Sequence, residues 1–330
     1  MAPRCPLCRA SEHHIVFTIG YRAIWDALEA EWGAPISPST REASATDERT
    51  TLLRCGSCGL EWFDPASPGG PAFYAELMGA MPYNADRWEF GVARAEIRPD
   101  DDVLDLGCGE GAFLRSLGNR SGRTVGVDLN APAVDALRSI GIEAHVGGFG
   151  DLSDRAVGLF DVVSAFHLLE HVADPLAVVR AAGHRLKPEG RMIVSVPNRE
   201  RSLKNEREPL DCPPHHVTRW SADQLNALAL QADLSVRRII FEPPDLSVAR
   251  ELVRRSAYER MRWLPERTRG GAIRVWGRFA MSSNRHRRLS RGTRFAAKGM
   301  FGHAVLVEMA RRSRPAGMRA ALPHRGSTIP

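Results

Sequence analysis

Four cysteines near the start of the chain form two closely spaced pairs, Cys5 with Cys8 and Cys55 with Cys58. Two thiolates separated by two residues can hold one metal ion in a tight turn, and two such pairs supply four sulfur ligands. A site with four cysteine ligands has no open coordination position, so its metal is structural and not catalytic. The sequence therefore predicts a structural Zn²⁺ site, with a redox dithiol as the alternative.

A glycine-rich turn in the middle of the chain could bind a nucleotide-like ligand. Asp105, Gly107 and Gly109 follow a short apolar run and precede a helical pattern. Glycines at this place let the backbone approach a ligand at a helix N-terminus, and Asp128, after the next strand pattern, suits ribose hydroxyls. These features alone fit either a dinucleotide or S-adenosylmethionine.

Charge distinguishes the two ligands. Asp105, Glu110 and Asp128 surround the predicted turn. Their carboxylates would repel the pyrophosphate of a dinucleotide, because like charges at close range are unfavourable. A ligand with a sulfonium and an ammonium group suits them better. The charges therefore favour S-adenosylmethionine over a nicotinamide cofactor, and a nicotinamide-dependent oxidoreductase is the less favoured enzyme class.

The elements that would position these residues alternate regularly between strand and helix. Such alternation predicts an α/β fold with a parallel, doubly wound sheet. A zinc-knuckle module is predicted at 1–70, where residues 33–50 form a loose loop, and a helical linker or lid at 71–98. The predicted strands comprise residues 103–106, 124–127, 142–146, 160–166, 191–196, 235–241 and 303–309.

Three segments together resemble a known family. Residues 103–114 (Val-Leu-Asp-Leu-Gly-Cys-Gly-Glu-Gly-Ala-Phe-Leu) are similar to motif I of class I S-adenosylmethionine-dependent methyltransferases. Residues 160–175 resemble the fourth strand and following turn of the ubiquinone-biosynthesis-like branch, and residues 186–198 continue the likeness. The resemblance covers about residues 95–245. It implies a seven-stranded Rossmann-like methyltransferase domain, which we expect at 99–311.

The resemblance also implies roles for individual residues. Asp105, Gly107 and Gly109 would line the methionine end of the cofactor, and Asp128 would hold the ribose. Leu129 would pack on the adenine, and Ala165, Phe166 and His167 would close over the cofactor. In place of the usual acid after strand three, either Asp151 meets the adenine amino group or Phe149 stacks on the ring.

The N-terminal knuckles ahead of such a domain resemble a subset of bacterial methyltransferases that includes sugar C-methyltransferases. Those sugar enzymes continue into a further C-terminal α/β domain, for which this chain is too short. Methylation of a small biosynthetic intermediate, most simply on oxygen, is therefore the leading expectation. Methylation of a nucleotide sugar or polysaccharide is the alternative.

Two adjacent histidines, His215 and His216, are the candidate catalytic bases. Methyl transfer to a hydroxyl needs a base, and an imidazole titrates near neutrality. The pair follows predicted strand five, at the sheet edge where doubly wound folds bind ligands. The alternative is that they fasten the Pro213-Pro214 turn. Glu170 and His171 are expected only to stabilise the turn after strand four.

Basic residues are concentrated late in the chain. The formal net charge is +6, yet residues 1–244 hold 25 Lys and Arg against 34 Asp and Glu, whereas residues 245–301 hold 15 against 4. A basic insertion at about 245–300 predicts a cap for an anionic acceptor, such as a phosphate-bearing sugar or lipid, or contact with a membrane surface. The alternative of another class is a zinc-ribbon nucleic-acid-binding module with an RNA-modifying or vestigial Rossmann domain. The acidic body of the chain disfavours nucleic acid as a partner.

Composition excludes further classes. No stretch reaches the ~20 apolar residues of a membrane helix, and the first residues have no apolar core of a secretory signal. A cytoplasmic location is therefore expected. The basic tail at 312–330 has no apolar period and is predicted to be disordered.

Overall fold

The computed structural model describes residues 3–45, 47–65, 67–80, 87–148, 158–201, 206–243 and 303–312. The predictions for Phe149, Asp151, the basic insertion at about 245–300 and the tail beyond Arg312 lie outside the described residues. Among the helices of the described ranges, none combines the length and the hydropathy required to span a bilayer.

The described residues form strands and helices throughout both halves of the chain. The strands are β1 (His13–Gly20), β2 (Arg49–Cys55), β3 (Glu61–Asp64), β4 (Val103–Leu106), β5 (Thr124–Asp128), β6 (Glu143–Val146), β7 (Phe160–Phe166), β8 (Leu186–Pro197), β9 (Thr218–Arg219), β10 (Leu234–Phe241) and β11 (Ala304–Arg311). The helices are α1 (Tyr21–Trp32), α2 (Pro38–Ser44), α3 (Pro71–Ala80), α4 (Trp88–Glu96), α5 (Ala112–Leu117), α6 (Ala131–Ser139), α7 (Pro175–His184) and α8 (Ala222–Gln231).

Seven strands form the larger sheet, in the order β10-β11-β8-β7-β4-β5-β6. The pairs from β8 to β6 are parallel, whereas β11 runs antiparallel to both β8 and β10. The expected α/β, doubly wound, Rossmann-like fold is confirmed. The expectation of a wholly parallel sheet is wrong for β11, because the apolar pattern of a strand carries no information about its direction.

Helices cover both faces of this sheet. On one face, Val103 packs with Phe113 of α5 and Leu137 of α6. On the other, Leu104 packs in the cluster that contains Val179 of α7 and Leu228 of α8. Successive strand residues point to opposite faces, so nearly continuous apolar strands are what a sheet covered on both sides requires. The carboxyl ends of β4, β5 and β7 are thereby brought to one edge.

A second sheet lies in the N-terminal region, in the order β1-β2-β3-β9. Leu53 and Trp62 belong to the core that α7 and α8 share with the larger sheet, whereas Leu52 and Phe63 pack with α1 and α3 on the opposite face. The N-terminal sheet therefore lies between its own helices and the larger domain. The segment at 71–98, predicted as a helical linker or lid, contains two helices that pack on different sheets. Helix α3 packs on the N-terminal sheet and α4 packs on the larger sheet.

The prediction of a loose loop at residues 33–50 is wrong. Helix α2 occupies part of it, with Ser37 as N-cap. The Glu76 carboxylate accepts hydrogen bonds from the Ser37 hydroxyl at 2.7 Å, the Thr40 hydroxyl at 2.7 Å and the Ser37 backbone N–H at 2.7 Å. These polar residues resemble a loop in sequence, yet they form the N-terminus of a helix. The Glu76 carboxylate, distant in the chain, stabilises that N-terminus by accepting their hydrogen bonds.

Strand β9 joins the two regions. It comes from the segment after β8, yet it pairs with β3, with Glu61 opposite Arg219 and Trp62 opposite Thr218. The chain that carries His215 and His216 therefore completes the N-terminal sheet.

Candidate functional site

The glycine turn after β4 is shaped by left-handed backbone. Gly107, Gly109 and Gly111 have φ of 71°, 49° and 72°, values that side chains with a Cβ rarely adopt. A Cβ at Gly109 would meet none of the described atoms within 4 Å, so the turn is open at that point. An open backbone turn at the start of α5 fits close approach by a cofactor.

Asp128 fastens this turn. One carboxylate oxygen accepts a hydrogen bond from the Gly109 N–H at 2.8 Å, and the other accepts from the Asn130 N–H at 2.8 Å. A carboxylate oxygen has further lone pairs, so both backbone bonds leave it able to accept from ribose hydroxyls. Leu129, the expected adenine contact, follows it and is 53% exposed.

Asp105 lies deeper than the sequence suggests. It is 3% exposed, and its Oδ1 accepts a hydrogen bond from the Ser164 hydroxyl of β7 at 2.7 Å. Burial raises the pKa of Asp105 to about 7, because removing the carboxylate from water disfavours its charged form. A cofactor whose methionine end contacts Asp105 would therefore have to reach a buried carboxyl group at the end of β4.

Ala165 and Phe166 belong to the core. Ala165 is fully buried in β7, and the ring of Phe166 lies 4.8 Å from that of Phe113 and 5.2 Å from that of Phe90. Packing occupies both side chains, so any contact with a cofactor at Ala165 would come from its backbone.

His167 lies between two carboxylates. Its Nε2 is 3.0 Å from Oε1 of Glu89, its Nδ1 is 3.2 Å from Oε1 of Glu170, and its φ is 50°. Burial lowers the pKa of His167, but the adjacent Glu170 and Glu89 carboxylates outweigh this and raise it to about 9. The imidazolium thus ties α4 to the turn after β7.

His215 and His216 meet a third histidine, His171. The ring of His215 stacks on that of His216 with centroids 4.4 Å apart, and His171 lies 4.7 Å from His215 and 4.9 Å from His216. Sequence reasoning singled out the adjacent pair and gave His171 and Glu170 only a turn-stabilising role. Glu170 and His171 follow the carboxyl end of β7, where doubly wound folds bind their ligands, and this position could have identified them as site residues.

Hydrogen bonds hold two of these rings in place. Nδ1 of His171 lies 2.6 Å from the His215 carbonyl oxygen and 3.0 Å from the Tyr74 hydroxyl, and Nδ1 of His216 lies 3.2 Å from Oδ1 of Asp211. Burial lowers the pKa of His171 to about 4, and it lowers the pKa of His215 well below the usual range. Both imidazoles are therefore neutral at physiological pH.

A small cavity adjoins this group of histidines. Its lining combines carboxylate, imidazole and guanidinium groups: Glu170, Pro197, Arg199, Arg201, Asp211, His216, Thr218 and Arg219. The Arg201 guanidinium and the Asp211 carboxylate form an ion pair there. Burial raises the pKa of Asp211, but His216 and Arg201 outweigh it, so Asp211 is ionised.

The four N-terminal cysteines converge in space. Sγ of Cys5 lies 3.6 Å from Sγ of Cys58, Sγ of Cys8 lies 3.4 Å from Sγ of Cys55, and all four sulfurs lie within 4.8 Å of one another. A tetrahedral zinc ion with Zn–S bonds near 2.3 Å places its sulfurs about 3.8 Å apart. The arrangement therefore fits the predicted metal, which these cysteines would hold with no open position.

Comparison with known proteins finds methyltransferases, as the resemblance of the glycine turn implies. Residues 83–239 match a family model described as a methyltransferase domain. A ubiquinone biosynthesis O-methyltransferase from Xanthomonas campestris pv. campestris is 29% identical over 170 residues, which cover 50% of this chain and 67% of that relative. A protein of the same name from Xanthomonas oryzae pv. oryzae has the same identity and coverage.

One solved structure that resembles the chain is a putative sarcosine dimethylglycine methyltransferase from Galdieria sulphuraria. It superposes with a TM-score of 0.44 at 16% identity, covering 72% of this chain and 87% of that one. The family match includes the glycine turn, Asp128 and all three clustered histidines. The matched family and the named relatives agree with the fold and with the glycine-rich motif. The predicted enzyme class is therefore confirmed, and the protein is an S-adenosylmethionine-dependent methyltransferase.

Proposed function

We propose that the protein O-methylates a small biosynthetic intermediate, with the acceptor hydroxyl beside the cluster of His171, His215 and His216. The observation that carries the proposal is the Asp211–His216 pair on the wall of the cavity, with Oδ1 and Nδ1 3.2 Å apart. A carboxylate that accepts from Nδ1–H leaves Nε2 as the nitrogen with a free lone pair. That nitrogen can accept the proton of a hydroxyl.

His215 supports His216 and does not replace it. Its ring stacks on His216, and burial keeps its pKa well below the usual range, which makes it a weak base. His216, which Asp211 orients, is therefore the proposed base. When bound, S-adenosylmethionine supplies an electrophilic methyl group, so the protein needs only to align the acceptor oxygen and remove its proton.

The acceptor that suits the cavity is anionic. Three guanidinium groups line it, those of Arg199, Arg201 and Arg219, against the two carboxylates of Glu170 and Asp211. Arg199 and Arg201 also form ion pairs with Glu61 and Asp211, so an acceptor anion would share these guanidinium groups. Arginine presents several N–H donors in a planar fork, which suits a carboxylate or phosphate. An acceptor with one acidic group and one hydroxyl would use both features of the site.

The cysteines and the cellular location complete the proposal. Cys5, Cys8, Cys55 and Cys58 bind a structural Zn²⁺ that holds the N-terminal sheet beside the acceptor site. Reduced thiols of this kind persist in the cytoplasm, where we propose that the protein works. Contacts of the 245–300 segment with a lipid surface remain a prediction.

The first test is calorimetric titration with S-adenosylhomocysteine, with NAD as the control. We expect the first to bind and the second not to bind. Transfer of a labelled methyl group to a panel of hydroxylated aromatic and sugar acids then identifies acceptors, and mass spectrometry locates the methyl group. Methyl groups found only on carbon or nitrogen would refute O-methylation.

The base assignment is tested with His216→Ala, with the exposed His14→Ala as the matched control. The first variant should lose turnover and keep its affinity for S-adenosylhomocysteine, since His216 lies outside the glycine turn. Equal turnover in both variants would contradict the assignment.

A further inference from the structure

The three clustered histidines have the geometry of ligands. Each of His171, His215 and His216 offers one ring nitrogen, and these nitrogens lie within 4.8 Å of one another. In a tetrahedral site with metal–nitrogen bonds near 2.0 Å, nitrogens are about 3.3 Å apart. Small rotations of three side chains around a bound ion would give that separation.

Two of the rings are oriented as metal ligands are. Nδ1 of His171 donates to the His215 carbonyl oxygen at 2.6 Å, and Nδ1 of His216 faces Asp211 at 3.2 Å. Each bond places the proton on Nδ1 and leaves the lone pair on Nε2. Histidines that bind metals commonly donate their other ring N–H to a carboxylate or a backbone carbonyl in this way.

A buried carboxylate lies beside the rings. Glu170 is 1% exposed, and within the described ranges neither of its oxygens has a well-aligned hydrogen bond. Oε1 lies 3.9 Å from Nε2 of His171 and 3.2 Å from Nδ1 of His167, in poor alignment with the latter. The His167 imidazolium stabilises the Glu170 charge on the side of Oε1, whereas Oε2 has no hydrogen bond among the described residues and is open to a second cation.

A second polar atom is also without a partner. Nδ1 of His215 is buried and has no hydrogen bond among the described residues. Three imidazoles and one carboxylate form a donor set that suits a divalent ion. Imidazole with carboxylate is a donor set of Zn²⁺, Co²⁺, Ni²⁺ and Fe²⁺ more than of Mg²⁺ or Ca²⁺.

We propose that His171, His215, His216 and Glu170 bind a divalent transition-metal ion that holds the acceptor oxygen. The inference rests on the proposed function for its chemical role, but its binding test does not. It reassigns His216, because a lone pair that ligates a metal no longer accepts a proton.

The chemistry of the step then changes in one respect. The acceptor hydroxyl binds the ion, which lowers the pKa of the hydroxyl, and its proton passes to solvent water at the cavity. An electron pair of the resulting oxyanion forms the bond to the methyl carbon. The carbon–sulfur bond breaks, and its electron pair remains on the sulfur of S-adenosylhomocysteine.

Cobalt binding by the full chain tests the site. Thiolates bound to Co²⁺ give an intense charge-transfer band, whereas imidazoles and carboxylates give only weak visible bands, so the cysteine site and the histidine site are distinguishable in one titration. The metal-free protein is titrated with CoCl₂ and then with ZnCl₂, and bound metal is counted by mass spectrometry. The variants are His171→Gln, His216→Gln and Glu170→Gln, with His14→Gln as the matched control.

We expect the wild type and His14→Gln to bind one equivalent beyond the thiolate site. His171→Gln and His216→Gln should retain only the thiolate equivalent, and Glu170→Gln should bind the second equivalent at least tenfold more weakly. Thermal unfolding and binding of S-adenosylhomocysteine establish that each variant is folded. Saturation of the wild type at the thiolate site alone, or a second equivalent that all variants keep, overturns the inference.

Activity separates the two proposals. Activity is measured before and after removal of the metal equivalent that the histidines bind. If O-methylated product forms equally in both cases, the chemical role of the metal is refuted and the O-methyltransferase proposal stands. A second equivalent bound by the histidines, with no O-methylated product from any acceptor, would do the reverse.

Discussion

The two sheets of this molecule are stabilised in different ways. In the larger sheet, the inner strands are apolar almost throughout, and Val103, Leu104, Val125 and Val127 are fully buried. The N-terminal sheet is smaller, and it combines a short apolar core with four clustered cysteines and a strand taken from the other region. A small unit buries too little apolar surface to be stable alone, so the strand from the other region, and the metal that we propose at the cysteines, would replace part of its core.

The buried Glu61 shows how the regions are fastened. It lies in β3, and its Oε1 is 2.7 Å from Arg54 within the same sheet and 3.0 Å from Arg199, which follows β8. Arg199 also donates to the Gly59 carbonyl oxygen beside Cys58. The cysteine turn, the small sheet and the cavity are therefore one connected structure, whereas the glycine turn belongs to the larger sheet.

The largest effect should follow from removing the cysteine ligands. Cys5→Ser with Cys58→Ser removes half of the ligands, and structural zinc contributes on the order of 10 kcal/mol to the folding of small metal-binding units. We expect a lower unfolding temperature, loss of the thiolate-bound metal and loss of turnover, with binding of S-adenosylhomocysteine retained. Calorimetry and metal analysis measure these. Cys212→Ala is the control, and loss of cofactor binding in the serine variant would show that the sheets are not separable.

The next effect concerns the larger sheet and its pH dependence. Because the pKa of Asp105 is about 7 in the folded state, against an ordinary value of 3.8, the folded state keeps the proton to higher pH than the unfolded state does. Stability should therefore fall as pH rises from about 4 to 7, by up to about 1.4 kcal/mol per pH unit. Asp105→Asn should flatten that slope and be the more stable protein at pH 8. Urea unfolding across this range measures it, and a slope like that of the exposed control Asp135→Asn would contradict the assignment.

Cofactor binding should respond to the larger sheet alone. Asp128→Ala removes the carboxylate that we expect to hold the ribose, together with its hydrogen bond to the Gly109 N–H. Loss of a charged hydrogen bond weakens binding by about 10- to 100-fold. Titration with S-adenosylhomocysteine measures this, with Asp135→Ala as control. Unchanged affinity would exclude a ribose role for Asp128.

The smallest effect tests the link between the regions. Glu61→Gln keeps the shape of the side chain but removes the charge that Arg54 and Arg199 share. We expect a loss of about 1–2 kcal/mol in the free energy of unfolding, because a charged hydrogen bond becomes a neutral one. Equilibrium denaturation measures it, with Glu42→Gln on an exposed helix position as control. If the two variants unfold alike, Glu61 does not couple the sheets.

Local sequence patterns were reliable where local physics determines the structure. The predicted strand at 160–166 matches β7 residue for residue, and the helical pattern expected after the glycine turn forms α5. A capping box of Ser221 and Gln224 likewise begins α8. Apolar runs, glycines with positive φ and capping side chains act over a few residues, so one sequence contains what is needed to recognise them.

Contacts between distant segments were not recognisable in the same way. The antiparallel direction of β11, the capping of α2 by Glu76 and the pairing of β9 with β3 each join residues far apart in the chain. The same holds for Glu170 and His171, whose importance depends on His215 and His216 arriving beside them. The sequence by itself determined a glycine-rich turn suited to S-adenosylmethionine, two cysteine pairs and an alternation of strands and helices. Their assembly around one histidine group came from the packing of two sheets, because burial and charge act between side chains wherever the fold brings them together.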